Sequence, residues 1–418
     1  MTAAPPGVSA EDRQRLRELA RGVAEIAALP VQGERIRLWK RLNALDPARP
    51  MVLLDPQNGW EDLVPESSLR CAAPLLRDAE RSLRRKLHRH AHIPDDHPVT
   101  AGFPVPWVIM HSGYGVAETY TRTESRGAFG WDPPLKAYGD ARKLRAAEIR
   151  VDREASAERM AFFQDLLGDI LEVRQGGVNG CRCGLTRKLI MLRGLGAFLL
   201  DLYDAPAFVH ELMGFLRDET LREYDYYARE NLLCLNNGPE DLTGSGGLSA
   251  TDALPGLGFR PGAVRARDMF AWGEAQETGG IGPEQFREFV LAYQLPVLER
   301  FGLVDYGCCE ALDSRLDLLI ASIPRLRWVA VSPWADKALA AEKLGRGFVY
   351  CCKPQPSLIC RESPDWAAAE RELREILSAA RGCCMSLVMK DTTSFFGEPA
   401  RATRWARMAG KVAEEAAG

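Results

Sequence analysis

Phe301-Gly302-Leu303-Val304-Asp305-Tyr306-Gly307-Cys308-Cys309-Glu310 carries an apolar run straight into two thiols and a carboxylate. The run reads as a strand, and the polar cluster falls where that strand ends. In parallel α/β folds, chemistry collects at the C-terminal ends of the strands. Thiolate and carboxylate are also zinc-type ligands. The plain alternative is that one cysteine of the pair packs as a small hydrophobe.

Outward from this strand, the chain alternates short apolar runs with longer amphipathic segments. Strands are expected at Met51 to Leu54, Val105 to Met110, Ile170 to Val173, Leu232 to Leu235, Ala263 to Phe270, Leu303 to Tyr306, Trp328 to Val331, Gly347 to Cys351 and Met385 to Met389. Apolar residues at helical spacing predict a helical region from about Ala10 to Leu45 and another from Arg77 to His92. Gly282-Pro283-Glu284 opens a helix with proline at its first position, and Ser363-Pro364-Asp365 opens one that stops near Gly382. Strands separated by helices imply parallel pairing through right-handed crossovers. The expected fold is therefore α/β: a (β/α)8 TIM barrel over residues 101–418, preceded by an N-terminal helical extension over residues 1–100.

The 418 residues carry a formal net charge of -3, with 54 basic side chains set against 57 acidic ones. No long single-sign block occurs, so no nucleic-acid partner is expected. No apolar run approaches the roughly 20 residues that span a bilayer, and no membrane association is expected. Met1-Thr2-Ala3-Ala4-Pro5-Pro6 has neither the basic start nor the apolar stretch of a secretion signal. Eleven cysteines, an odd number, then point to free thiols and a cytoplasmic location. Cys308 with Cys309, Cys351 with Cys352 and Cys383 with Cys384 form adjacent doublets. Strand side chains alternate, so each doublet presents one thiol to a given face. His88 and His92 have the i, i+4 spacing of a helical metal pair, but their arginine-rich surroundings read as a solvated face.

Several strand exits carry polar side chains. Glu274 and Gln276 follow the Ala263 strand, the first as an acid or base and the second as a substrate contact. Trp334 and Asp336 follow the Trp328 strand, Lys353 the Gly347 strand, and Lys390 and Asp391 the Met385 strand. His111, after the Val105 strand, is the one histidine at an expected exit and is a candidate general acid or base. Asn236, in the turn after Leu235, is a candidate for amide hydrogen bonds to substrate. A catalytic zinc needs about three protein ligands, and the candidates are Cys308, Cys309, Glu310, Glu274 and Cys351 or Cys352. Cys383 and Cys384 stand at a strand entry and read as packing residues.

Read together, several segments resemble the superfamily that contains uroporphyrinogen decarboxylase and the methylcobamide-to-thiol methyltransferases. They are Arg193-Gly194-Leu195-Gly196, Asp201-Leu202-Tyr203-Asp204 with Pro206, Pro283-Glu284-Gln285-Phe286 with Tyr293 and Pro296, Phe301-Gly302 leading to Cys308, and Ser332-Pro333-Trp334-Ala335-Asp336. The resemblance covers roughly Leu195 to Gly410 and implies an eight-stranded barrel. Decarboxylases of this superfamily carry an arginine-rich motif after the first strand, where this chain reads Asp55-Pro56-Gln57-Asn58-Gly59-Trp60. The methyltransferase branch holds zinc on a His-x-Cys pair and a later cysteine. Cys308 matches that cysteine, whereas Tyr306 stands in place of the histidine. The resemblance thus implies a corrinoid-linked methyltransferase with a thiolate and carboxylate zinc site, cobalamin as methyl carrier, a small-molecule substrate and a corrinoid protein as partner. A homodimer is compatible with it. The alternatives are a metal-free decarboxylase or lyase acting on a carboxylated substrate, using Glu274, Asp336 and Lys353, and a barrel that binds a ligand without catalysis.

Overall fold

The computed structural model describes residues 7–117, 119–121 and 129–417. Met1 to Pro6, where no secretion signal is expected, lies outside the described residues. The strands are β1 (Met51–Leu54), β2 (Gly102–Pro106), β3 (Val108–His111), β4 (Thr119–Thr121), β5 (Gly130–Asp132), β6 (Ile149–Asp152), β7 (Glu172–Gly176), β8 (Cys181–Cys183), β9 (Phe270–Gly273), β10 (Leu303–Tyr306), β11 (Leu326–Val331), β12 (Val349–Cys352) and β13 (Cys384–Met389). Seven of them form one sheet in the order β1-β13-β12-β11-β10-β9-β8, and all its pairings are parallel. β2 pairs with β7 in parallel, while β3 with β6 and β4 with β5 are antiparallel ribbons.

Most residues of β1, β10, β12 and β13 are buried, as expected of parallel strands covered on both faces. The two faces separate by strand alternation. Met51, Leu53, Phe270, Leu303, Trp328 and Val349 gather on one face with Trp39, Leu42 and Leu248. Val52, Leu54, Val304, Tyr306, Val329 and Leu387 face the helices on the other. β1 lies inside the expected N-terminal extension yet pairs with β13, so the first hundred residues contribute directly to the sheet.

The expected helix over Ala10 to Leu45 is two helices, Ala10–Ala27 and Pro30–Asn43. Pro30 opens the second, because proline at a first helical position has no N–H to leave unpaired. The first packs Leu16, Ala20 and Val23 against Leu76 and Leu83 of helix Pro74–His92. The expected Ala263 to Phe270 strand is displaced. Asp268 accepts from Arg265 N and its guanidinium, closing a 3-10 turn, and β9 starts only at Phe270. Leu232 to Leu235 contributes a single parallel bridge, Leu233 with Val178. No helix among the described residues is long and apolar enough to cross a membrane.

Candidate functional site

The exits of β9, β10, β12 and β13 bring side chains around one loop. Gly307, just past β10, has φ 104°, a conformation that favours glycine, and a Cβ there would lie 2.9 Å from Leu312. The chain turns so that Glu310 accepts from Cys308 N at 2.9 Å and from Ala275 N at 3.0 Å. This carboxylate staples the β10 exit to the β9 exit. Cys308 is 5% exposed, and its Sγ lies 3.6 Å from Cys309 Sγ. Cys309 Sγ also lies 3.4 Å from Asp391 Oδ2.

A glycine-rich segment, Thr243 to Gly247, packs on the face of the sheet that carries Trp328. A Cβ on Gly247 would sit 2.1 Å from the Trp328 ring, so only glycine allows the approach. Asp305, the third residue of β10, holds the segment: its Oδ2 accepts from Thr243 Oγ1 at 2.8 Å and Ser245 N at 3.1 Å. Its Oδ1 has no partner, and burial raises the pKa of the carboxyl. Ser245 is thereby fixed between two buried lysines. Lys353 Nζ donates to Ser245 Oγ and, at 2.7 Å, to Cys308 O, while Lys390 Nζ lies 3.4 Å from Ser245 Oγ.

The charges favour a thiolate. The Cys309 S–H donates to Cys308 and pulls its pKa down to about 6; burial opposes this, and Lys353, Lys390 and Ser245 reinforce it. Cys309 moves the other way and keeps its proton, because its neighbour carries the charge. Burial opposes the charge on Lys390, but Cys308, Asp391 and Cys309 outweigh it and raise the pKa. At the neighbouring exit, burial and then Glu277 push Glu274 up to about 7, against the pull of Arg182. Arg182 reaches Glu274 Oε1 at 3.0 and 3.1 Å and lies over the Trp272 ring at 4.7 Å.

The structure thus brings Cys308, Cys309, Lys353, Glu274 and Asp391 together, and it puts the other expected residues to different uses. Asn236 binds the Phe270 backbone in both directions, at 3.0 and 2.8 Å, and acts as a staple on β9. Asp336 caps helix Lys337–Leu344, accepting from Ala338 N and Leu339 N at 3.0 Å. Trp334 is 71% exposed, and Gln276 brings its backbone N within 3.5 Å of Glu274 Oε2. His111 belongs to the β3–β6 ribbon and meets Glu223 at 3.1 Å, away from the other candidates. Ser245, Arg182 and Asp305 are the residues that the sequence reading did not single out. Asp305 stands within the apolar run of β10 and Ser245 within the Gly244-Ser245-Gly246-Gly247 run, while nothing in the sequence marks Arg182.

The zinc set expected from the sequence does not assemble. Glu310 is committed to two backbone N–H groups. Cys351 lies within β12, where burial pushes its thiol up to about 11. Among the described residues no group of three or more His, Cys, Asp or Glu side chains is placed to share one cation. These donors do not fit a three-ligand zinc, so the chemistry below is carried by the side chains alone. No protein-family model matches the chain, and no curated protein gives a match to it.

Proposed function

We propose that the chain is a group-transfer enzyme whose reactive atom is Cys308 Sγ, and that its sheet belongs to a closed eight-stranded barrel of the superfamily it resembles. One observation carries this reading: a nearly buried thiol with an S–H donor at 3.6 Å and two buried lysines converging beside it. A thiolate held in that way is a soft nucleophile. Methyl transfer is the reaction it suits best. Sulfur attacks the methyl carbon, a C–S bond forms, and the donor fragment leaves with the electron pair of the broken bond. Lys353 and Lys390 hold the sulfur anionic before attack. A corrinoid donor would approach from the rim, free or on a carrier protein, because the cavity beside Trp272, about 420 Å³, is too small to enclose a corrin. Eleven unpaired thiols suit a reducing, cytoplasmic setting.

Incubation with methylcobalamin followed by peptide mapping tests the proposal. Wild type should acquire one methyl group, on Cys308, and Cys308→Ser none. Methylation absent or confined to other residues would overturn it.

Glu274 favours a second reading, a lyase or decarboxylase acting on a carboxylated substrate. A carboxyl poised near 7 can give and take a proton at neutral pH. Turnover of a carboxylic acid without any methyl donor, lost in Glu274→Gln but kept in Cys308→Ala, would select this reading over the first.

A further inference from the structure

We propose that the cavity between β8, β9 and the Asn236 to Gly244 segment binds a small zwitterion, carrying a carboxylate at one end and a cationic nitrogen at the other. The cavity measures about 420 Å³, and its walls include Asn179, Arg182, Asp241, Thr243, Phe270 and Trp272. Two of these bear opposite charges that the protein itself answers incompletely. The Arg182 side chain is 49% exposed, and its partner is Glu274. That carboxyl titrates near 7, so at neutral pH the guanidinium lacks a full counter-charge. Its fork geometry suits a second carboxylate arriving from the cavity.

Asp241 is the complementary end. It accepts from Gly238 N at 2.9 Å and from the Asn179 side chain, neither of them a cation. Burial raises its pKa, with Glu240 adding to it, and outweighs the help of Gly238 N, Arg174 and Asn179, so a cationic group beside it would restore its charge. The other wall carboxylate, Glu240, is already satisfied by Lys86 at 2.6 Å and by the Thr100 hydroxyl. The Thr243 hydroxyl is likewise committed to Asp305. What remains for a ligand is one guanidinium and one carboxylate beside the half-buried Trp272 ring. The site stands independently of the thiolate proposal, since binding requires neither a reactive Cys308 nor turnover.

Calorimetric titration of the full chain with the ω-amino acids from glycine to 6-aminohexanoate tests it, with butyrate and butylamine as single-charge controls. One chain length should bind saturably and at least about tenfold more tightly than either control. Arg182→Gln should then weaken that ligand to the level of butylamine, and Asp241→Asn to that of butyrate. The proposal fails if no length binds saturably, or if the best zwitterion binds no more tightly than the controls. The wild-type comparison decides this alone, should either variant fail to fold.

Discussion

Cys308 with Cys309 and Cys351 with Cys352 are the same dipeptide on strands of one sheet, and their thiols are driven in opposite directions. Cys351 and Cys352 close β12 while still inside the ladder, Cys351 pairing with Ala330 and Ser386 on the adjacent strands. There burial dominates, raising Cys351 to about 11 and Cys352 further. Cys308 begins two residues after the last residue of β10, where the chain has turned out of the ladder. Lys353 and Lys390 lower the pKa at Cys351 too, with help from the Ser386 hydroxyl, yet burial prevails there; at Cys308 the hydrogen bond with Cys309 is the largest influence and burial is overcome. A displacement of two residues past a strand end therefore separates a thiol whose pKa burial raises from one whose pKa is pulled down to about 6. Cys383 and Cys384 confirm the pattern from the opposite end of a strand: Cys384 Sγ donates to the Leu45 carbonyl at 3.4 Å, and burial raises both thiols.

The largest effect should come from breaking the rim member of this comparison. Cys308→Ser should lower alkylation of the native protein by iodoacetamide at neutral pH by at least about a hundredfold, and Cys351→Ser should leave it within about twofold. Mass mapping of the modified residues checks both.

Two rim groups tie stability to pH, with opposite signs. Glu274 binds its proton more tightly in the folded protein than in the unfolded chain, so the stability linked to it is greatest at low pH and declines as pH rises from about 4.5 through 7. The upper bound of that decline is about 3 kcal/mol by pH 8. Cys308 has the opposite sign: its lowered pKa gives stability that is present above the unfolded thiol value and lost as pH falls through about 6. The difference between wild type and Glu274→Gln isolates the glutamate. Denaturant unfolding from pH 5 to 8 should show a shallower decline in the variant, and parallel curves would remove Glu274 from the account.

Smaller effects sharpen the contrast. Lys353→Met should move the alkylation midpoint of Cys308 upward by about one unit, equivalent to about 1.4 kcal/mol of lost thiolate stabilisation. Cys351→Ala should cost about 1 kcal/mol of stability through the small cavity it leaves, with the Cys308 profile unchanged. A shifted Cys308 profile in Cys351→Ala would show that the two doublets are coupled.

Much of the sheet was legible in the sequence because parallel strands buried on both faces leave short, dense apolar runs. Met51–Leu54 and Leu303–Tyr306 fall where those runs stand. Asp268 shows the limit: its 3-10 turn depends on an Arg265 contact that periodicity does not encode. The same division holds at the site. Cys308, Lys353, Glu274 and Asp391 were visible because each directly follows an apolar run. Asp336 and Asn236 looked equally suitable, and only their hydrogen-bond partners show a helix cap and a backbone staple. Ser245 reaches the site along a loop whose path is set by contacts with Asp305 and Trp328, far away in sequence.

The central claim is the thiolate at Cys308, and the pH dependence of its alkylation in the native protein tests it most directly. A midpoint near 6 is expected. A midpoint at the ordinary thiol value of about 8.5 or above would contradict it.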